Sequence, residues 1–127
     1  MVSYNRSSID ATPAGMGSKR SFTVGTAGVT AGDAVKLDSS GHVLDCNATT
    51  DVMIGVARDT VASGGEVVVL GNECIVESAG LATPYSLTAG ARTGVTATSG
   101  IIKDWASSGT YSGFALSATK ILVRIQI

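Results

Sequence analysis

Apolar residues in this chain come in short runs between clusters of glycine, serine, aspartate and asparagine. No segment sustains apolar positions at i, i+3, i+4 and i+7, glycine recurs too often for long helices, and β-branched residues dominate the apolar set. Such a pattern predicts many short strands. Ser21 to Val24 alternates and suits a first strand. GTAGVTAG (25–32) reads as a loop leading into DAVKL (33–37), and Asp38 to Gly41 reads as a hairpin turn that returns through HVLDC (42–46). After a polar loop at 47–51, VMIGVA (52–57) is expected to be a buried strand with a glycine inside it. Ala62 to Gly65 is a turn signal before EVVVL (66–70), and Gly71-Asn72 resembles a two-residue turn into ECIVES (73–78). Pro84 suits the start of a short helix or turn within 81–88. ILVRIQI (121–127) alternates cleanly, with Ile121, Val123, Ile125 and Ile127 on one side and Leu122, Arg124 and Gln126 on the other. Residues 1–20 are small and polar, interrupted by Pro13, Gly15 and Gly17, and are expected to form an extended arm.

The two halves of the chain resemble each other. Thr30-Ala31-Gly32 recurs as Thr88-Ala89-Gly90, fifty-eight residues on, and Gly55-Val56-Ala57 recurs at the same offset as Gly113-Phe114-Ala115. Val43-Leu44 then corresponds to Ile101-Ile102, and VVVL (67–70) to ILVR (121–124) across a shortened turn. The expectation is one all-β domain over 21–127, a compact small β-barrel or β-sandwich built from two similar β-units, at about 30–70 and 88–124, each covering the other's apolar face. In that arrangement Gly55 and Gly113 are equivalent places where another strand passes too close for a Cβ, and Val56 and Phe114 point into the core on matching faces.

Composition makes the expected core thin. Aromatic residues are 5% of the chain, so bulk comes from Val, Ile and Leu, which favours stabilisation by a partner chain. The alternating C-terminal segment, whose second face needs something to lie against, points the same way, to a homotrimer. Nine basic and ten acidic residues leave too little positive charge for nucleic acid. The charges are segregated: residues 1–20 carry a net +2, residues 33–77 a net −6 and residues 78–127 a net +3. An acidic body with basic ends suits docking on neighbouring chains, with Arg6, Lys19 and Arg20 of the arm as contacts. No stretch approaches a membrane helix or a signal peptide, and Cys46 and Cys74 are expected to be free buried thiols in a protein made in the cytoplasm.

Candidate chemistry is sparse. His42, the single histidine, sits beside Gly41 in the predicted turn, where solvent exposure suits it better than a catalytic role. GTYSG (109–113) has the wrong spacing for a nucleophile elbow, and Gly15 to Lys19 lacks the full phosphate-loop pattern. Asp33, Asp38 and Asp45 flank one hairpin in a way that can suit Ca²⁺, although turn formation explains them better. No catalytic, cofactor-binding or metal residue is assigned. Trp105 and Tyr111, in DWASSGTYSG, suit a core or a protein interface better than a sugar-stacking platform.

TAGDAVKLDSSGHVL, MIGVARDTVASGGEVVVLGN, LTAG and the closing GFAL…ILVRIQI together resemble the small cement, or decoration, proteins of bacteriophage capsids. The likeness covers about residues 28–127, with motif glycines at Gly32, Gly41, Gly55 and Gly65 and, in the second half, Gly90 and Gly113. Ala91-Arg92 departs from the usual pattern after Gly90, which places the second hairpin's geometry in question. The resemblance implies a compact β-fold, a trimer on the outer surface of the virion bound to the major capsid protein, reinforcement of the shell, and neither catalysis nor cofactor. The alternatives are a carbohydrate- or cell-surface-binding module on the virion, or a tail or baseplate structural protein.

Overall fold

Ten short strands account for the regular structure of the residues described by a computed structural model, 18–105 and 109–125. They are β1 (Lys19–Thr23), β2 (Ala34–Leu37), β3 (Val43–Asp45), β4 (Gly55–Ala57), β5 (Glu66–Leu70), β6 (Ile75–Glu77), β7 (Arg92–Val95), β8 (Ile102–Asp104), β9 (Tyr111–Ala115) and β10 (Lys120–Val123). The first five form one antiparallel sheet in the order β1-β5-β4-β2-β3, and the second five form another in the order β6-β10-β9-β7-β8. The second order is the first with every strand number raised by five. The two β-units therefore share one topology.

Hydrogen bonding repeats in detail. In the first unit Gly32 N–H donates to the Ala57 carbonyl and Ala57 N–H to that of Asp33; in the second, Gly90 donates to Ala115 and Ala115 to Ala91. Cys46 N–H donates to Ala34 O as Trp105 N–H does to Arg92 O. Gly32 and Gly90 share a positive φ, 91° and 85°. The register corrects one detail of the sequence alignment. Leu37 opposes Val43 and Val95 opposes Ile102, so Val43 matches Ile102, fifty-nine residues on, and not Ile101. Ten residues of turn and strand end lie between Val56 and Val67, but six between Phe114 and Ile121, which is the expected shortening, found in the β9–β10 connection relative to β4–β5.

Period-two alternation builds two apolar layers. Val35, Val43, Ala57, Val67 and Val69 share one core with Val24 and Val29. Their alternates Ala34 and Val56, with Cys46 and Met53, pack instead with Val76, Tyr85, Leu87, Val95, Ile102, Ala115, Ile121 and Val123 of the second unit. Ile121 and Val123 are fully buried, each worth about 1.5–3 kcal/mol of transfer free energy. A parallel bridge between Val24 and Val43 draws the edges of the first sheet together, yet the architecture is two sheets of a sandwich and not the closed barrel that was the other expectation.

Three further expectations change. Lys19 and Arg20 belong to β1, opposite Leu70 and Val69, and not to the arm; Arg6 and the rest of the arm to residue 17 lie outside the described residues. Gly71-Asn72 does not turn a hairpin, because β6 leaves the first sheet and pairs with β10, Val76 opposite Ile121. Residues 81–88 form no helix; Tyr85 and Leu87 are pinned in the core there, Tyr85 by a 2.8 Å hydrogen bond from its hydroxyl to the Gly32 carbonyl. Gln126 and Ile127 also lie outside the described residues.

Candidate interaction surface

The outward face of the second sheet gathers aromatic and cationic side chains. Trp105, just past β8, and Tyr111, at the start of β9, pack with ring centroids 4.4 Å apart and planes tilted by 40°. Arg92, the first residue of β7, lies with its guanidinium carbon 5.3 Å from the Tyr111 ring centroid and donates to the Tyr111 hydroxyl at 2.9 Å. β9 pairs with β7, Arg92 opposite Phe114, which brings these groups side by side. Arg92, Tyr111, Phe114, Arg124 and Ile125 line a concavity of about 340 Å³. Arg124 grips Glu73 through two 3.0 Å hydrogen bonds, which hold its guanidinium at the rim. Phe114 is 38% exposed, and this corrects the expectation that it points into the core: it sits on the face equivalent to that of buried Val56, but more than a third of it is left open. Trp and Tyr beside Arg is the side-chain mixture enriched where proteins meet. Sequence reasoning found the two aromatics but missed Arg92 and Arg124, whose significance depends on which face of the sheet is left uncovered.

The remaining predicted site residues are scattered. Lys19 and Arg20 are exposed on β1, an edge strand of the other sheet. Gly41 turns the β2–β3 hairpin with φ 81°, Gly65 lies in the turn before β5, and Gly55 and Gly113 lie within β4 and β9. Cys46 and Cys74 are buried and form no disulfide; burial, first, pushes the Cys46 thiol up to about 12.

A second cleft runs between the units, beside Asp33, Asp45, Pro84, Tyr85 and the turn at 98–101. Asp33 is pushed up to about 7, first by burial and then by hydrogen bonding with and the negative charge of Asp45, against a lowering by the Thr30 N–H. Asp45 Oδ1 is buried without a hydrogen-bond donor, and a proton held by Asp33 supplies one. Because the folded state binds that proton more tightly than the unfolded chain, stability falls as pH rises from about 4 to about 7 and then levels. One proton sets a ceiling of about 1.4 kcal/mol per pH unit, and partial solvent exposure of the pair reduces it. Thermal melts are expected to give a higher midpoint at pH 5 than at pH 8, and Asp45→Asn is expected to flatten part of that slope, the part due to burial remaining. An unchanged slope in Asp45→Asn would contradict the shared proton.

Asp38 stays apart from this pair. Its carboxylate accepts from Ser40 N–H at 2.8 Å and His42 N–H at 2.9 Å, closing its own hairpin, so the three aspartates of the candidate Ca²⁺ site do not converge. Among the described residues no three His, Cys, Asp or Glu side chains are grouped to hold a metal ion. Chelator treatment is accordingly expected to leave the melting temperature unchanged, and a fall would return the hairpin aspartates to consideration. No family model matches the chain, and no curated protein matches it.

Proposed function

We propose that this chain is a structural virion protein that binds the outer surface of a phage capsid and stabilises the shell as a trimer, with no catalytic activity and no cofactor. The observation that carries the reading is the run of cement-protein motifs, TAGDAVKLDSSGHVL and MIGVARDTVASGGEVVVLGN, which occupies β2 to β5 and the turns between them. The uncovered face of the second sheet supports it, since Trp105, Tyr111, Phe114 and Arg92 offer a protein partner a rigid, part-apolar patch. Arg6 of the arm, with Lys19 and Arg20 on β1, would add the basic contacts to the major capsid protein. A carbohydrate-binding role fits the same aromatics less well: the two rings are tilted against each other, and Arg92 stands over Tyr111. Mixing the chain with empty expanded capsids of the phage that encodes it should give saturable binding at a fixed stoichiometry, and glycan arrays should give none. Glycan binding without capsid binding would favour the alternative.

A further inference from the structure

The two units meet through unlike surfaces. The hairpin end of the second unit sits on one face of the first: Ala34 N–H donates to Gly100 O at 2.9 Å, Gly100 N–H to Cys46 O at 2.7 Å, Thr110 N–H to Thr49 O at 2.8 Å, and Ser99 Oγ lies 3.3 Å from Asp45 Oδ2. Each partner in that contact except Thr49, whose equivalent position lies outside the described residues, has a counterpart in the other unit, fifty-eight residues away, or fifty-nine across β3 and β8. On the docking side, buried Val95 corresponds to Leu37, 39% exposed; Thr110 corresponds to Val52, 72% exposed; and Gly100, pressed against Asp33, corresponds to Gly41, with nothing within 4 Å. On the receiving side, buried Ala34, Cys46, Met53 and Val56 correspond to Arg92, Trp105, Tyr111 and Phe114 of the uncovered face. The contact is thus heterologous. It uses one end of the second unit and one face of the first, and it leaves both counterpart surfaces open. Among the described residues, three of the four exposed large apolar side chains, Leu37, Val52 and Phe114, fall on those two surfaces.

We infer that a second copy of this chain occupies the uncovered face, its β2–β3 hairpin and Val52 docking beside Arg92, Trp105 and Phe114 as the β7–β8 hairpin docks within the chain. The occupant follows from two observations. The fold already contains one example of this contact, made within the chain by the equivalent surfaces. The charges also match: the β2–β3 hairpin and Val52 lie in the segment 33–77, of net −6, and the receiving residues Arg92, Trp105, Tyr111 and Phe114 in the segment 78–127, of net +3. A head-to-tail contact of this kind closes into a ring or runs on as a filament. A ring of three chains is the proposed trimer, with first and second units alternating around it; the surface itself does not depend on the capsid reading.

The intrachain neighbours Ser99 and Asp45 correspond to Ser40 and Asp104, both exposed, which therefore meet between chains. The full chain carrying Ser40→Cys and Asp104→Cys together, oxidised mildly in solution and again on capsids, is expected to give covalent trimers on a non-reducing gel, while each single variant gives none. Phe114→Arg, at a part-exposed position, is expected to weaken self-association at least about tenfold in sedimentation with an unchanged melting temperature. Absence of the cross-link both in solution and on capsids, or undiminished association in Phe114→Arg and in Leu37→Glu, would overturn the inference and give the face to the chain's own terminal residues or to another protein. Capsid binding without the cross-link would overturn this surface alone, and the cross-link without capsid binding would overturn the capsid reading alone.

Discussion

Replacing Gly113 by valine is expected to destabilise the protein by about 3 kcal/mol or more, at or beyond the upper end of ordinary overpacking. A Cβ at Gly113 would land on the backbone carbonyl of Leu122 in the neighbouring strand β10, with Arg124 N at 2.9 Å. Backbone atoms hydrogen-bonded into a sheet cannot rotate away as a side-chain end can, so the clash has to be relieved by breaking the β9–β10 pairing. The φ of 148° adds strain for any residue with a Cβ. Gly55 occupies the equivalent place in β4. Its Cβ would meet the Leu70 carbonyl and, at 2.6 Å, the Val69 side chain, but its φ is unexceptional. Gly55→Val is therefore expected to be severe and Gly113→Val worse, even though valine favours strands. Urea unfolding of the two variants checks both the size and the order. A Gly113→Val protein with a wild-type midpoint would contradict the close approach.

The second large effect separates two glycines that look alike. Gly41 and Gly100 turn equivalent hairpins with φ of 81° and 73°, so alanine at either carries the same left-handed strain, about 1–2 kcal/mol. Only Gly100 is also packed, its Cβ position overlapping the Asp33 side chain at the junction of the units, whereas Gly41 has open space around it. Gly100→Ala is expected to cost at least about 1 kcal/mol more than Gly41→Ala, through partial undocking of the units. Equal losses in chemical denaturation would mean that the junction yields without resistance.

Much of the architecture was legible because alternation and turn chemistry are local. EVVVL and the start of ILVRIQI read as strands from their own spacing, and the paired Thr-Ala-Gly and Gly-x-Ala signals exposed the repeat. What failed depended on distant partners. Gly71-Asn72 has the composition of a hairpin turn, but β6 is captured by β10, more than forty residues later, and no local signal records that pairing. Lys19 and Arg20 look like arm because β1 is an edge strand, its first three residues exposed and therefore free to be polar. Phe114 was expected inward because Val56 is inward and the repeat makes them equivalent; the sequence holds no sign that one unit's face is covered and the other's is open. The Asp33–Asp45 pair was read as two ends of a hairpin, and only the docking of the second unit over it explains its burial and its shared proton.

The most direct test of the proposed function is an image of empty expanded capsids of the encoding phage, reconstructed with and without the added chain. The account predicts extra density on the outer surface in clusters of three, fitted by the two-sheet fold with the second-sheet face of each copy against the hairpin end of the next. Bare shells at saturating protein, or density in isolated single copies, would contradict it.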